Sequence, residues 1–167
     1  MNEINYVTGD LFTLMPKDVP VIIPHICNDI GAFGGGFTGP LGRKFPIVAD
    51  LYLEWAKSGY DPERAIPFTI GETQVIAVQD DPRIYVANMV AQHGIIGPNN
   101  PTPIKYTALA FCMRAVREIE IWDRNNEFQI HAPKFGSGLA AGAFSVIEKF
   151  VNELWIANGF DVTIYSL

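Results

Sequence analysis

Val19-Pro20-Val21-Ile22-Ile23-Pro24-His25-Ile26 is a nearly continuous apolar run that ends in Cys27-Asn28 and soon passes into Gly34-Gly35-Gly36. A strand without polar alternation is covered on both faces, as the inner strands of an α/β sheet are. Pro20 and Pro24 are expected to demote the ends of the run. Downstream of the glycines, Pro46 opens a helix with Ile47, Val48, Leu51, Tyr52 and Trp55 on one face. Strand, glycine loop and helix therefore follow one another in a short span.

The rest of the chain continues that alternation. Ile4 to Val7 reads as a short strand before the turn Thr8-Gly9-Asp10, and residues 58–72 read as loop. Thr73 to Val78 and Ile84 to Val90 form a hairpin across Gln79-Asp80-Asp81-Pro82-Arg83. Gln92 to Pro103, rich in Gly, Pro and Asn, is a loop. Lys105 to Trp122 is the strongest helix, with Leu109, Cys112, Met113, Val116 and Ile119 spaced by three and four. Phe128 to Ala132 is a strand that runs into Pro133-Lys134-Phe135-Gly136-Ser137-Gly138-Leu139. Phe144 to Asn158 is a helix stopped by Gly159, and Val162 to Leu167 a closing strand. Interleaved strands and helices with one central hairpin give an α/β class: a three-layer α/β/α fold on a mixed sheet, expected as a single domain over residues 1–167.

Composition narrows the function. With 167 residues, 49% of them apolar and 18% charged, the chain has the make-up of a globular domain and not of a disordered one. A net charge of −6 is opposite to that of a general nucleic-acid binder, although backbone amides still suit a small anion. Cys27 and Cys112 are far apart and read as buried free thiols. No Cys, His or carboxylate spacing suggests a metal, and no cofactor is implied. No apolar stretch is long enough to span a membrane, and Met1 to Asn5 does not read as a signal peptide. The expectation is a soluble protein of a reducing, cytoplasmic compartment.

Two glycine loops carry the chemistry. Gly34-Gly35-Gly36 follows the strand ending in His25-Ile26-Cys27-Asn28, and Gly136-Ser137-Gly138-Leu139 follows Ile130-His131-Ala132-Pro133. Glycine lets backbone N–H groups come close to a ligand, and a helix N-terminus adds partial positive charge, so each loop is suited to phosphate. Two such loops at the strand ends of one sheet would hold a diphosphate between them. Neither is a P-loop, for no Gly-Lys-Ser/Thr follows, and Gly34-Gly35-Gly36 is not a dinucleotide fingerprint. Taken separately, each is equally well a tight turn.

The order Gly9-Asp10-Leu11, His25-Ile26-Cys27-Asn28, Gly34-Gly35-Gly36 and the late Gly136-Ser137-Gly138-Leu139 resembles the macrodomain family over essentially the whole chain. The His-x-Cys-Asn form and the ending Val162 to Leu167 resemble the branch of ADP-ribose-1″-phosphate phosphatases and enzymes that remove ADP-ribose from proteins. The resemblance implies binding of ADP-ribose, or of an ADP-ribosylated or ADP-ribose-phosphate substrate, and hydrolysis at the distal ribose. It assigns Asp10, with Leu11, to adenine, Asn28 to the distal ribose and to the catalytic set, Gly34, Gly35 and Gly36 to the distal ribose and diphosphate, and Gly136, Ser137, Gly138, Leu139 to the phosphates. Phe37, Phe135 and Phe144 complete the implied ligand-binding set. His25 would act on water or on a leaving phosphate, Asp29 is a second candidate base, and His93 would reach the distal ribose if its loop closed. The pattern departs from its relatives in two places, because Thr38 and Ala140 stand where related groups carry a catalytic aspartate. The stretch Val90-Ala91-Gln92-His93 also lacks a related group's lysine. The alternatives are a module that reads ADP-ribose without turnover, and a glycine-loop domain for another nucleotide or with a purely structural role.

Overall fold

The computed structural model describes residues 2–167, so Met1, the first residue of the N-terminal segment read above, lies outside it. In chain order the elements are β1 (Asn5–Thr8), α1 (Leu11–Leu14), β2 (Val21–Asn28), α2 (Thr38–Lys44), α3 (Pro46–Ser58), β3 (Tyr60–Asp61), β4 (Ile66–Pro67), β5 (Thr73–Asp80), β6 (Arg83–Gln92), α4 (Tyr106–Trp122), β7 (Gln129–Pro133), α5 (Phe144–Phe150) and β8 (Val162–Ser166). Among the described residues, six strands form one sheet in the order β1-β8-β7-β2-β6-β5. All neighbours are parallel except β5 and β6, which make the expected antiparallel hairpin. The α/β class with a mixed sheet holds.

Burial of β2 on both faces explains its unbroken apolar run. Ile22 packs into the layer that contains Leu109, Cys112, Met113, Val116 and Ile119 of α4, all fully buried. Val21 and Ile23 point the other way, into a layer with Leu41 of α2 and Val48 of α3. Both cysteines are free and buried, as expected.

Four details differ from the sequence reading. Pro24 lies inside β2, a central strand, and does not mark its end. Residues 58–72 contain the small antiparallel pair β3–β4; two residues per strand leave no periodicity to detect. Ile47 is exposed, and α3 buries Val48, Tyr52 and Trp55 instead. The last helix leaves α-geometry after Phe150, passing through a π turn at Val151–Trp155 and a 3-10 turn at Ile156–Asn158. Trp155, fully buried, donates its indole N–H to Met113 O at 2.9 Å within that π turn.

Candidate functional site

Chain connections leave β2 toward β6 and β7 toward β8, so the adjacent pair β2–β7 is where the strand order reverses. Open α/β sheets place ligands at the carboxyl ends of such a pair. The two strands are in register only at Val21–Gln129 and Ile22–Ile130. Beyond these pairs they part, and a cavity of about 440 Å3 opens between them. Its walls are the end of β2 from His25 to Asn28, the first glycine loop with Phe33 and Phe37, and Pro133 to Gly136 with Gly138 to Ala140. The two loops touch: a Cβ on Gly35 would sit 3.1 Å from Leu139 Cδ1. They belong to one site.

Each loop is held by its own hydrogen bonds. Thr38 Oγ1 accepts from Gly34 N at 2.8 Å and donates to Gly35 O at 2.7 Å. Thr38 thus fastens the turn at the position where related groups carry an aspartate. In the second loop Gly136 has φ +84°, and a Cβ there would meet Ile147 Cδ1 at 2.4 Å, so no other residue fits without displacement. Gly142 N donates to Gly136 O at 2.6 Å and closes the loop. This loop does not open a helix directly as expected, because α5 begins only at Phe144. A ligand there would meet backbone amides and no helix N-terminus. The N–H groups of Gly35, Gly36, Ser137, Gly138 and Leu139 find no acceptor among the described residues. Lys134 is the single Lys or Arg in the described lining, and its ammonium lies 4.8 Å over the Phe144 ring.

His25 is 1% exposed, with Nε2 bonded to Asn88 Oδ1 and its ring flanked by those of Phe33 and Phe37 at 6.3 and 5.8 Å. Burial pushes its pKa down to about 4, against a partial upward pull from the Asn88 hydrogen bond. The ring is neutral at pH 7. A neutral ring can accept a proton from water but carries no extra proton to donate.

Asn28 is committed to the backbone. Its Oδ1 accepts from Ile30 N at 3.1 Å and Ala32 N at 3.0 Å, Nδ2 donates to Ala32 O at 2.7 Å, and the single Tyr52 hydroxyl hydrogen is shared between Asn28 O at 2.7 Å and Oδ1 at 2.9 Å. One amide hydrogen remains for a ligand. The Tyr52 hydroxyl is a dependable donor here, since burial raises its pKa well above the ordinary range. Asp29 is equally engaged: Oδ1 accepts from Gly94 N at 2.7 Å and Oδ2 meets His93 Nδ1 at 2.7 Å. Those bonds pin the 92–103 loop to the end of β2. The loop contributes Gln92, Ile95 and Ile96 to the cavity wall, which sequence reasoning missed although an exposed Ile-Ile pair in a polar loop was a signal.

Other expected residues lie off the cavity. Asp10 caps α1, accepting from Thr13 N at 3.1 Å and Thr13 Oγ1 at 2.7 Å. Leu11 is buried in the core and does not face the cleft. Their element nevertheless borders the site, since Phe12 stacks on Phe37 at 5.6 Å. Ser137 and Phe144 are also absent from the lining; Phe144 stands edge-on to Tyr6 at 6.4 Å and reaches the cleft only through Lys134. Gly34, Asp29 and His93 border the wall without lining it. His131 bonds to Tyr165 and Gln129 and serves the fold. Among the described residues no group of three His, Cys, Asp or Glu is placed to hold a metal, and no helix is long and apolar enough to cross a membrane.

Comparison with known proteins adds the following. No family model matches the sequence. An ADP-ribose 1″-phosphate phosphatase of Debaryomyces hansenii is 26% identical over 182 aligned positions, covering 97% of this chain and 98% of that protein. A Bacteroides thetaiotaomicron protein of unknown function has a structure that superposes with a TM-score of 0.84 at 36% identity, over 99% of this chain and 98% of that one. A macrodomain protein from Streptomyces coelicolor superposes with a TM-score of 0.78 at 31% identity, over 99% of both chains.

Proposed function

As this chain belongs to the macrodomain family, we propose that its cleft binds ADP-ribose and hydrolyses a bond at the distal ribose, as in ADP-ribose-1″-phosphate or an ADP-ribosyl conjugate. One observation carries the reading: two glycine loops from distant parts of the chain meet around a single cavity, each with free backbone N–H groups. Such amides bind a pyrophosphate without a cluster of cations, which this acidic chain does not supply. The distal ribose lies against Asn28, Gly35 and Gly36, where the spare amide hydrogen of Asn28 meets a hydroxyl. Adenine extends toward α1 and Asp10.

Much of the rate enhancement is assigned to holding the ribose and phosphates so that a water is aimed at the scissile bond. The proton-donating role is assigned to the Asp29–His93 pair at the rim of the cleft. The carboxylate accepts from Nδ1–H and leaves the Nε2 lone pair outward, and the neighbouring Gln92 and Ile95 line the cleft. A second reading, a module that binds ADP-ribose without turnover, is favoured by the engaged Thr38 hydroxyl and by alanine at 140.

Thermal shift with ADP-ribose, and phosphate release from ADP-ribose-1″-phosphate, test both. At 100-fold over Kd a ligand adds about 2.7 kcal/mol, or about 5–11 °C for a chain of this size. A shift with ADP-ribose that is larger than those with AMP and with ribose-5-phosphate supports the two-ended cleft. No shift with ADP-ribose refutes the proposal. Turnover abolished in His93→Gln supports the enzyme, whereas binding with no release from any ADP-ribosyl substrate selects the reader.

A further inference from the structure

Behind the cleft wall runs a row of polar side chains that the hydrolysis as described does not use. His25 of β2, Asn88 of β6 and Gln74 of β5 stand opposite one another in the sheet register, on one face of three adjacent strands. All three are buried, and the row ends on Asp61 of β3, also buried. His25 Nε2 meets Asn88 Oδ1, Asn88 Nδ2 donates to Gln74 Oε1 at 3.1 Å, and Gln74 Nε2 donates to Asp61 Oδ2 at 3.0 Å and to Leu51 O of α3 at 3.1 Å. Arg64 Nη1 completes the chain on Asp61 Oδ2 at 3.0 Å, and its Nε donates to Val75 O. Apolar side chains would fill this space with less desolvation.

The direction of every bond in the row follows from the two acceptors at its far end, the Asp61 carboxylate and Leu51 O. An ionised carboxylate only accepts. Burial works to raise the Asp61 pKa, but the hydrogen bonds from Gln74 and from Arg64, with the Arg64 charge, win and hold it below the usual carboxylate range. Gln74 must therefore turn its NH2 to Asp61 and its oxygen to Asn88. Asn88 must in turn donate to Gln74 and present its oxygen to His25. The imidazole then has to carry its hydrogen on Nε2. The other ring nitrogen, Nδ1, is left as a lone pair, and it is buried with no partner. A buried acceptor without a donor is costly, and a hydroxyl entering the cleft that His25 lines would relieve it.

We propose that Asp61, acting through Gln74 and Asn88, is a positioning residue that fixes His25 as the Nε2–H tautomer, so that the ring meets a ligand hydroxyl as an acceptor at Nδ1. The tautomer holds with or without ligand. The second half, that the hydroxyl belongs to ADP-ribose, rests on the function proposed above.

The experiment is long-range 1H–15N NMR of the full chain, with the three histidines assigned through His93→Gln and His131→Gln. The free wild type is expected to show His25 as a neutral ring protonated at Nε2 alone at pH 7; protonation at Nδ1 overturns the proposal. Gln74→Met keeps the side-chain volume and leaves Asp61 on Arg64, but cuts the row two links from the ring. Asn88 is then free to turn its amide, and His25 is expected to become a mixture of both tautomers in a protein that still melts cooperatively. A pure Nε2–H ring in that variant overturns the proposal, because a merely structural row would leave the tautomer unchanged. Asp61→Asn, which leaves Gln74 on Leu51 O, separates the carboxylate's share from the carbonyl's. If Gln74→Met does not fold, Asp61→Asn is read in the same way, with any Nδ1–H form supporting the proposal and none refuting it. Adding ADP-ribose to the wild type is expected to move the Nδ1 resonance toward the hydrogen-bonded position. An unmoved Nδ1 with ADP-ribose bound overturns the acceptor role. A chain that does not bind ADP-ribose at all refutes the proposed function and leaves the tautomer result intact.

Discussion

Asn28→Asp is nearly isosteric, and it isolates one bond at the cleft. In the wild type Nδ2 donates to Ala32 O at 2.7 Å while two backbone N–H groups donate to Oδ1. The substitution places a carboxylate oxygen where the NH2 was, so that two acceptors face each other at that distance. The two N–H donors to Oδ1 favour the anion, but residue 28 is only 8% exposed and no cation bonds to it, so desolvation and the oxygen–oxygen contact prevail. Losing the bond and leaving Ala32 O unpaired costs about 1–3 kcal/mol. For a chain of this length that corresponds to about 2–12 °C in Tm at pH 7. The sign with pH is fixed. The new carboxyl has a folded pKa above its unfolded value of about 3.9, so the penalty is full above the folded pKa and fades as pH falls toward the unfolded one. A protonated carboxyl can again donate to Ala32 O. Calorimetric melts of both proteins from pH 7 to pH 4 give the difference directly. A gap that is absent at pH 7, or that stays constant on acidification, would show that the Asn28 amide does not hold the 28–32 turn.

Gly136→Ala is expected to lose about 2–5 kcal/mol in urea titration, from about 1–2 for a left-handed backbone and about 1–3 for overpacking against the fully buried Ile147. A loss under 1 kcal/mol would mean that the loop shifts freely. His25 and His131 both have pKa values pushed down to about 4, by burial in each case, so both are neutral in the fold but take up protons when it unfolds. Stability should fall between pH 7 and pH 5 by about 2 kcal/mol per histidine and level off below about 4; His131→Gln should remove its share of that slope, and an unchanged slope refutes the assignment. Asp10→Ala should cost about 1 kcal/mol through the lost α1 cap. It should also weaken AMP competition much more than ribose-phosphate competition, and equal weakening of both removes adenine from that end. Ile95→Ser with Ile96→Ser leaves the fold's stability within about 0.5 kcal/mol, as expected at exposed sites. ADP-ribose binding should weaken severalfold by isothermal titration, and unaltered affinity would take the 92–103 loop out of the binding wall.

Residues whose role follows from local pattern were legible, and those defined by packing across the sheet were not. The period of α4, the β5–β6 hairpin and the two glycine loops each announce themselves over a few consecutive positions. His25 did not, because whether a histidine titrates near neutrality depends on its burial, and here burial comes from Phe33, Phe37 and the facing strand. Asn88 and Gln74 read as unremarkable strand polar residues, since their partners are 63 and 14 positions away in sequence. Asp29 and His93 were each noticed, but their pairing joins residues 64 apart. Asp10 carries a cap signature and a family signature at once, and the structure displays the cap.

The cleft itself follows from two prolines. Along a parallel strand, the N–H and C=O of one residue point to the same neighbour, and successive residues alternate. Pro20 O accepts from Gln129 N, so even-numbered residues of β2 face β7, and Pro24 is the next of them after Ile22. Ile130 N and Lys134 N donate toward β8, to Asp161 O and Tyr165 O; odd-numbered residues of β7 therefore face β2, and Pro133 is one of them. Each strand thus presents to the other a residue that has no N–H to give. Pairing between β2 and β7 stops at Ile22–Ile130, which is where such a seam must stop. Pro24, which as a sequence feature argues against a central strand, sits on the one side of β2 where no ladder continues. Pro133 does the same from across the gap while its strand stays paired with β8. The strands then part just before His25 to Asn28 and Phe135 to Gly136, and the two glycine loops begin from ends already separated, with room between them for a ligand.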